Sequence, residues 1–251
     1  MMANSFRTND IAQALGVHVN TVRKYEQEGL LPPIPRSANG YRCYSQVHLE
    51  QARIVILALN WPYVAERSLR LGIVQHVVAG DYAMAMELAF QYLATIRVER
   101  TYAEAAIEFL EHWATKPVHD APRQGMSIRQ AADFLGLSAD MLRNWERNGL
   151  IEVPRDPKNG YRTYASGEIA RLRVIRMLLR SGYSSLAIRR MLGYFDAGHR
   201  DGLGETLEFI PDDDKLTTAA DRWLATLIEV EERAQQIIRQ INLLNDLRRS
   251  T

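Results

Sequence analysis

Ile11-Ala12-Gln13-Ala14-Leu15-Gly16-Val17, followed by Val22-Arg23-Lys24-Tyr25-Glu26, Gly29-Leu30-Leu31 and Asn39-Gly40-Tyr41-Arg42-Cys43-Tyr44, is the stretch that decides the fold, because it is written twice. At 120 positions further on, Ala132, Leu135 and Gly136 return, then Leu142-Arg143-Asn144-Trp145-Glu146, Gly149-Leu150-Ile151 and Asn159-Gly160-Tyr161-Arg162-Thr163-Tyr164. Between Ala12 and Tyr44, 12 of the 33 pairs at this offset are identical, against about two expected from average composition. Such self-similarity marks a duplicated domain.

Each copy reads as a helix-turn-helix with a small β wing. Thr8 is placed to cap a short helix whose apolar residues Ile11, Ala12 and Leu15 share one face. Gly16 supplies the turn, where a Cβ is disfavoured. A second helix over about Val19 to Glu28 buries Val22 and presents Asn20, Thr21, Arg23 and Lys24, and Gly29 ends it. In copy two Ser138 is a better cap than its counterpart His18. Asn39-Gly40 and Asn159-Gly160 suit the left-handed positions of tight hairpin turns, so Tyr41–Tyr44 and Tyr161–Tyr164 become wing strands. Ser45 and Ser166 start the helices that follow.

This ordered set resembles the MerR family of winged-helix transcription regulators, over residues 7–73 and 126–192. Copy two also carries Pro154-Arg155 and the run Leu178-Leu179-Arg180-Ser181-Gly182-Tyr183-Ser184, similar to the family's next helix pair. The resemblance implies double-stranded promoter DNA as partner, bent and untwisted so that RNA polymerase can use it. Two such domains in one chain depart from the usual plan of one per subunit. The family commonly appends an effector domain after its dimerisation helix, and 251 residues leave no room for one here.

The net charge of +1 looks wrong for a nucleic-acid binder until it is divided. Residues 1–73 hold 8 Lys/Arg against 5 Asp/Glu, and 121–192 hold 13 against 6; residues 74–120 hold 3 against 7, and 193–251 hold 7 against 12. Positive charge therefore sits on the two copies, the pattern expected when only those modules meet phosphate. The single cysteine, Cys43, and the lack of a signal segment or an apolar run long enough to span a bilayer suit a cytoplasmic chain without a membrane partner.

In chain order, residues 1–6 read as a frayed start and 1–73 as the first module. Trp61-Pro62 breaks one helix from the next within it. Residues 74–114 carry connecting helices, the longest capped by Asp81 and reaching about Trp113, with Met86, Ala89, Leu93, Ile96, Ala103, Ile107 and Leu110 as its seam. A linker at 115–125 precedes the second module, 126–192, and 193–212 reads as loop with one helical turn. From Asp213 to about Arg249, Leu216, Trp223, Val230, Ile237 and Leu244 fall seven apart, with Ala220, Leu227, Ala234 and Ile241 between them. That stripe is a coiled-coil seam, and Asp212, Asp213 and Asp214 favour its N-terminal dipole. By resemblance this is the dimerisation helix. The fold class expected is mainly α: two winged helix-turn-helix domains, each followed by a long helix, the two long helices pairing as an antiparallel coiled coil.

A recognition helix needs donors for base edges and cations for phosphates. Copy one offers Asn20, Thr21, Arg23 and Lys24, and copy two offers Asp140, Arg143, Asn144 and Arg147, with Met141 in place of Thr21. Tyr25 and Trp145 touch the DNA backbone by resemblance, or else belong to the core. Arg42 and Arg162, with Tyr41 and Tyr161 beside them, lie on the wings, and Arg36 and Arg155 are further wing candidates. Arg42 and Arg162 have a second reading, an ion pair with Glu26 and Glu146.

Nothing points to an enzyme. The six histidines never take the close helical spacing of paired metal ligands, Cys43 lacks the cysteine partners of metal- or redox-sensing relatives, and no Gly-rich phosphate loop appears. No catalytic residue, metal or cofactor is expected, and the effector is unknown. The reading is a sequence-specific DNA-binding transcription regulator. The alternatives are an excisionase-like or architectural DNA-binding factor, or an interaction protein whose first module no longer binds DNA. Because the second module follows the first long helix so closely, a monomeric pseudo-dimer is favoured over a homodimer.

Overall fold

The structure, a computed structural model, describes residues 5–60, 66–115, 125–210 and 218–249. The Trp61-Pro62 break, most of the 115–125 linker, the Asp212–Asp214 cluster and Leu216 lie outside the described residues. The rest is mainly helical. The chain divides into two compact units, Met1–Val98 with Ile228–Thr251, and Glu99–Leu227.

In the first unit, α1 (Thr8–Leu15) and α2 (Val19–Gln27) form the helix pair. Gly16 sits between them at φ 65°, a left-handed backbone that an L side chain would strain. Thr8 is not the cap: Arg7 precedes the helix, and the Asp10 carboxylate accepts the Arg7 backbone N–H at 2.7 Å. Nor does the frayed start extend to Phe6, whose N–H donates to the Tyr44 carbonyl at 2.8 Å. That exchange fixes the wing to the helix pair. Ile11, Ala12, Val22, Ile34, Tyr44 and Leu49 make the small core beneath it, each fully buried aliphatic contributing about 1.5–3 kcal/mol.

Next come α3 (Gln46–Leu59), α4 (Arg67–Val78) and the first part of α5 (Tyr82–Thr115). Ser45 caps α3, with its N–H donating to His48 Nδ1 at 3.0 Å, and burial lowers the His48 pKa. The last carbonyls of α3 accept from two arginines. Arg70 reaches the Ala58 oxygen at 2.9 Å, and Arg233 reaches the Ile56 oxygen at 2.9 Å. Cations at a helix C-terminus satisfy its orphan carbonyls and its dipole together. Asp81 caps α5 by accepting the Met84 N–H at 3.2 Å. Arg97 pairs with Glu231 at 2.9 Å, and Arg248 donates to the Gly80 carbonyl at 2.9 Å. These contacts run in opposite order along the two chain segments.

The second unit repeats the plan with α6 (Ile128–Leu135), α7 (Ala139–Arg147), α8 (Ser166–Arg180) and α9 (Ser185–Asp196). As read from the sequence, Ser166 starts α8; its N-cap is Ala165, whose N–H donates to Glu168 at 2.9 Å. The segment read as loop with one helical turn holds the short helix α10 (Leu203–Glu208). The final helix, α11 (Trp223–Arg249), begins ten residues later than its heptads suggested, after a 3-10 turn over Ala219–Arg222. Leu227, Val230, Ala234, Ile237, Ile241 and Leu244 of the heptad are all buried.

The wings are slighter than expected. Among the described residues Tyr41–Tyr44 and Tyr161–Tyr164 are not strands, but ribbons joined by isolated antiparallel bridges, Arg36 to Arg42 and Arg155 to Arg162. Only the glycines of the turns are left-handed, Gly40 at φ 78° and Gly160 at φ 73°; Asn39 and Asn159 are not. Copy one makes a three-residue loop closed by Ser37 N–H to the Tyr41 carbonyl at 2.8 Å, a type I turn followed by a left-handed glycine. Copy two closes from Asp156 N–H to the Tyr161 carbonyl at 2.8 Å, with one more residue in the loop. Copy one has its additional residue earlier, in Pro32-Pro33-Ile34-Pro35 against Glu152-Val153-Pro154.

Candidate nucleic-acid interface

Both second helices start from a capped N-terminus. His18 Nδ1 accepts the Asn20 N–H at 3.2 Å, and Ser138 Oγ accepts the Met141 N–H at 3.1 Å. Behind each cap one helix face is buried, through Val22 in α2 and through Leu142 and Trp145 in α7. The opposite face carries the candidates. Asn20, Arg23 and Lys24 are exposed, as are Asp140, Arg143, Asn144 and Arg147, while Thr21 is half-buried. Arg23 donates to the Asn20 side chain at 3.2 Å, and Arg143 pairs with Asp140 at 2.5 Å. In both copies this arginine is thus held toward the N-terminal end of its helix by the residue three positions before it. Exposed pairs of this kind are weak enough to exchange for a phosphate or a base.

The two aromatics at the flank part company. Trp145 is only 7% exposed and belongs to the core of its module, so its sequence assignment to a DNA contact gives way to packing. Tyr25 stays half-buried; burial first, then the charge of Glu28, raises its pKa and keeps the hydroxyl protonated.

On the wings, Arg42 Nε donates to Glu26 at 2.5 Å and Arg162 Nε to Glu146 at 2.6 Å. The ion-pair reading of these arginines is therefore the one seen: each pins its wing to α2 or α7. The hydrogen bond to Glu146 also raises the Arg162 pKa further. Arg36 and Arg155 each donate to the carbonyl of the turn glycine, Gly40 and Gly160, at 3.1 Å. The tyrosines divide between two jobs. Tyr44 and Tyr164 are buried, whereas Tyr41 is 65% and Tyr161 75% exposed at the wing surface. Sequence reasoning missed Arg7, whose guanidinium lies 5.9 Å from the centre of the Tyr41 ring and adds a cation to that wing. A basic residue just before a helix start was the available signal. Among the described residues no group of three His, Cys, Asp or Glu side chains converges as metal ligands, and no helix is long and apolar enough to cross a membrane.

Comparison with known proteins gives two family matches, a MerR HTH family regulatory protein over residues 126–194 and a MerR family regulatory protein over 7–44. The chain is 29% identical to a probable heavy metal-dependent transcriptional regulator of Haemophilus influenzae, across 48% of this chain and 86% of the relative. It is 30% identical to the mercuric resistance operon regulatory protein of Bacillus cereus, across 43% of this chain and 85% of the relative. A third relative, the HTH-type transcriptional regulator CueR of Escherichia coli O6:H1, is 40% identical across 24% of this chain and 44% of the relative. No solved structure gives a significant match. With both copies of the repeat matched, and most of a regulator's length covered at this identity, the chain belongs to the MerR family of transcriptional regulators.

Proposed function

We propose that this regulator is a cytoplasmic, sequence-specific binder of double-stranded DNA. One chain supplies both reading heads, residues 1–73 and 126–192, and acts by distorting a promoter for RNA polymerase. The observation that carries the reading is the repeated surface: a capped helix with an exposed polar face beside a wing with an exposed tyrosine, present in both copies. Asn20, Thr21, Arg23 and Lys24 read one half-site, and Asp140, Arg143, Asn144 and Arg147 read the other. Tyr41 and Tyr161 contact the backbone or minor groove from the wings. Arg42, Arg162, Arg36 and Arg155 set the wing's angle and turn.

Each compact unit contains one module and one end of each long helix. That division supports a pseudo-dimer built on an antiparallel coiled coil of α5 and α11. Because the two recognition faces differ, the operator is asymmetric. Contact energy gained at both ends is exchanged for deformation of the DNA between them.

Genome-wide mapping of bound DNA followed by footprinting of one site tests this. Protection upstream of promoters, in two unlike half-sites, is the expected result. Sites confined to recombination ends would instead favour an architectural factor. In titrations against salt, Arg143→Ala should reduce the slope by about one unit if it meets a phosphate, or relax one base preference by about 1–3 kcal/mol if it reads a guanine. Unchanged binding at every salt concentration would remove that helix from the interface.

A further inference from the structure

In the unit Glu99–Leu227, α8 carries Arg173, Arg176 and Arg180 at three- and four-residue steps, so a single stripe of the helix bears three guanidinium groups. They line an open groove of about 660 Å³ together with Tyr102, Phe109 and Met177. The aromatic side is uncovered, Tyr102 being 62% and Phe109 37% exposed. The basic side is uncompensated. Arg173 lies over the Phe134 ring at 5.2 Å and Arg176 donates to the Leu135 carbonyl, but among the described residues no carboxylate pairs with any of the three. Arg171, on the same helix but outside the groove, is by contrast held by Asp196 at 2.5 and 2.7 Å. The nearby acids Glu108, Glu111 and Asp201 line the adjoining cavity instead.

Uncovered aromatic surface and unpaired guanidinium groups in one concavity ask for an occupant that is both apolar and anionic. A DNA phosphate answers only half of that, since it stays hydrated and gains nothing from Tyr102 or Phe109. A guanidinium fork matches a planar carboxylate. The volume lies in the range of small-molecule sites, about 300–1,000 Å³. We infer that this groove binds an aromatic carboxylate, its ring against Tyr102 and Phe109 and its carboxylate on the α8 arginines.

The site also has a route to the DNA-reading helix. Arg173 and Arg176 otherwise touch Phe134 and Leu135, the last two residues of α6, which supports α7. A ligand that draws these arginines away competes with those contacts. Resting on the DNA-binding reading above, the ligand is then an effector of module two.

Binding is measured on the free full-length protein, so that it does not depend on DNA recognition. The probe is fluorescent anthracene-9-carboxylate, compared with the neutral anthracene-9-carboxamide. The acid should bind about tenfold or more tightly than the amide. The Arg173→Gln/Arg180→Gln double variant should lose that preference, and Tyr102→Ala should weaken both probes. Thermal melts confirm that each variant is folded, and the single exposed change Arg180→Gln serves if the double variant is not. Equal affinity for acid and amide, or an acid preference that survives in the arginine variant, overturns the inference. So does a variant that weakens DNA binding alone, which would assign the arginines to phosphate.

Discussion

Tyr44 and Tyr164 are at most 1% exposed, while Tyr41 and Tyr161, three positions earlier, are among the most exposed aromatics of the chain. An odd separation along an extended ribbon sends side chains to opposite faces, so one residue type packs on one face of the wing and stands open on the other. Tyr164→Ala should destabilise its module by about 3–5 kcal/mol, the usual cost of emptying a large aromatic site. Tyr161→Ala should leave the melting temperature within the range of a neutral surface change, about 0.5 kcal/mol, yet weaken DNA binding. Thermal melts alongside fluorescence anisotropy on a labelled operator separate the two; a Tyr161 variant with full affinity would take the wing out of the interface. Read from the sequence, all four tyrosines brace the wing strands, and the division between them emerges only from the structure. The exposed recognition faces were legible, from a helix whose buried residues were already apparent. The partnership of Arg42 with Glu26 could be named as an alternative but not decided, because it depends on how the wing folds back over the helix. Trp145 stood equally open, since a tryptophan at a helix flank suits both a core and an interface.

At the level of elements, the beginning of α11 shows what a heptad conceals. The stripe continues back to Leu216, yet the helix starts at Trp223. The reason lies in its partners. The Glu208 carboxylate, on α10, accepts the Leu224 and Ala225 N–H groups at 3.0 and 3.1 Å, supplying the negative charge that a helix N-terminus favours. Just before it, Asp221 accepts from the Thr218 N–H at 2.6 Å, the Thr218 hydroxyl at 2.9 Å and the Ser184 hydroxyl that caps α9. The Thr218 bonds are local, but those with Glu208 and Ser184 span 16 or more positions of sequence, which periodicity cannot register. Burial pushes the Asp221 pKa up, but the bonds from Ser184 and Thr218 and the charge of Arg190 outweigh it, so the net shift is downward. A carboxyl with a depressed folded pKa contributes stability above its unfolded value, about 3.9, and loses it as pH falls through the folded value. Asp221→Asn should therefore cost about 1.5–3 kcal/mol at neutral pH. The cost should shrink in urea titrations as the pH is lowered below about 4. A cost that stays constant down to pH 2 would show that packing, not the carboxylate, fastens α9 to α11.

For the whole molecule the question is whether the long helices are already paired within one chain. A seam meant for a second copy would leave its apolar stripe open in the isolated subunit. Here Leu227, Val230, Ala234, Ile237, Ile241 and Leu244 are each at most 1% exposed in a single chain, as are Ala89, Ile96, Ala103, Ala106 and Leu110 of α5. The residues of α5 divide between the two units, each of which has its own module. The sequence revealed both stripes and the duplication; it left undecided whether the stripes meet within a chain or between chains, since a heptad fits either. The prediction is a monomer of 28.7 kDa in light scattering, free and on DNA, over an operator with two unlike half-sites. Ile237→Asp sharpens the test, because an unpaired charge in that seam costs several kcal/mol. In a pseudo-dimer it should unfold the chain at constant mass. In a homodimer joined through the same stripe it should instead release a folded species of half the original mass. A mass of two chains with and without DNA, together with a palindromic footprint, would refute the single-chain arrangement.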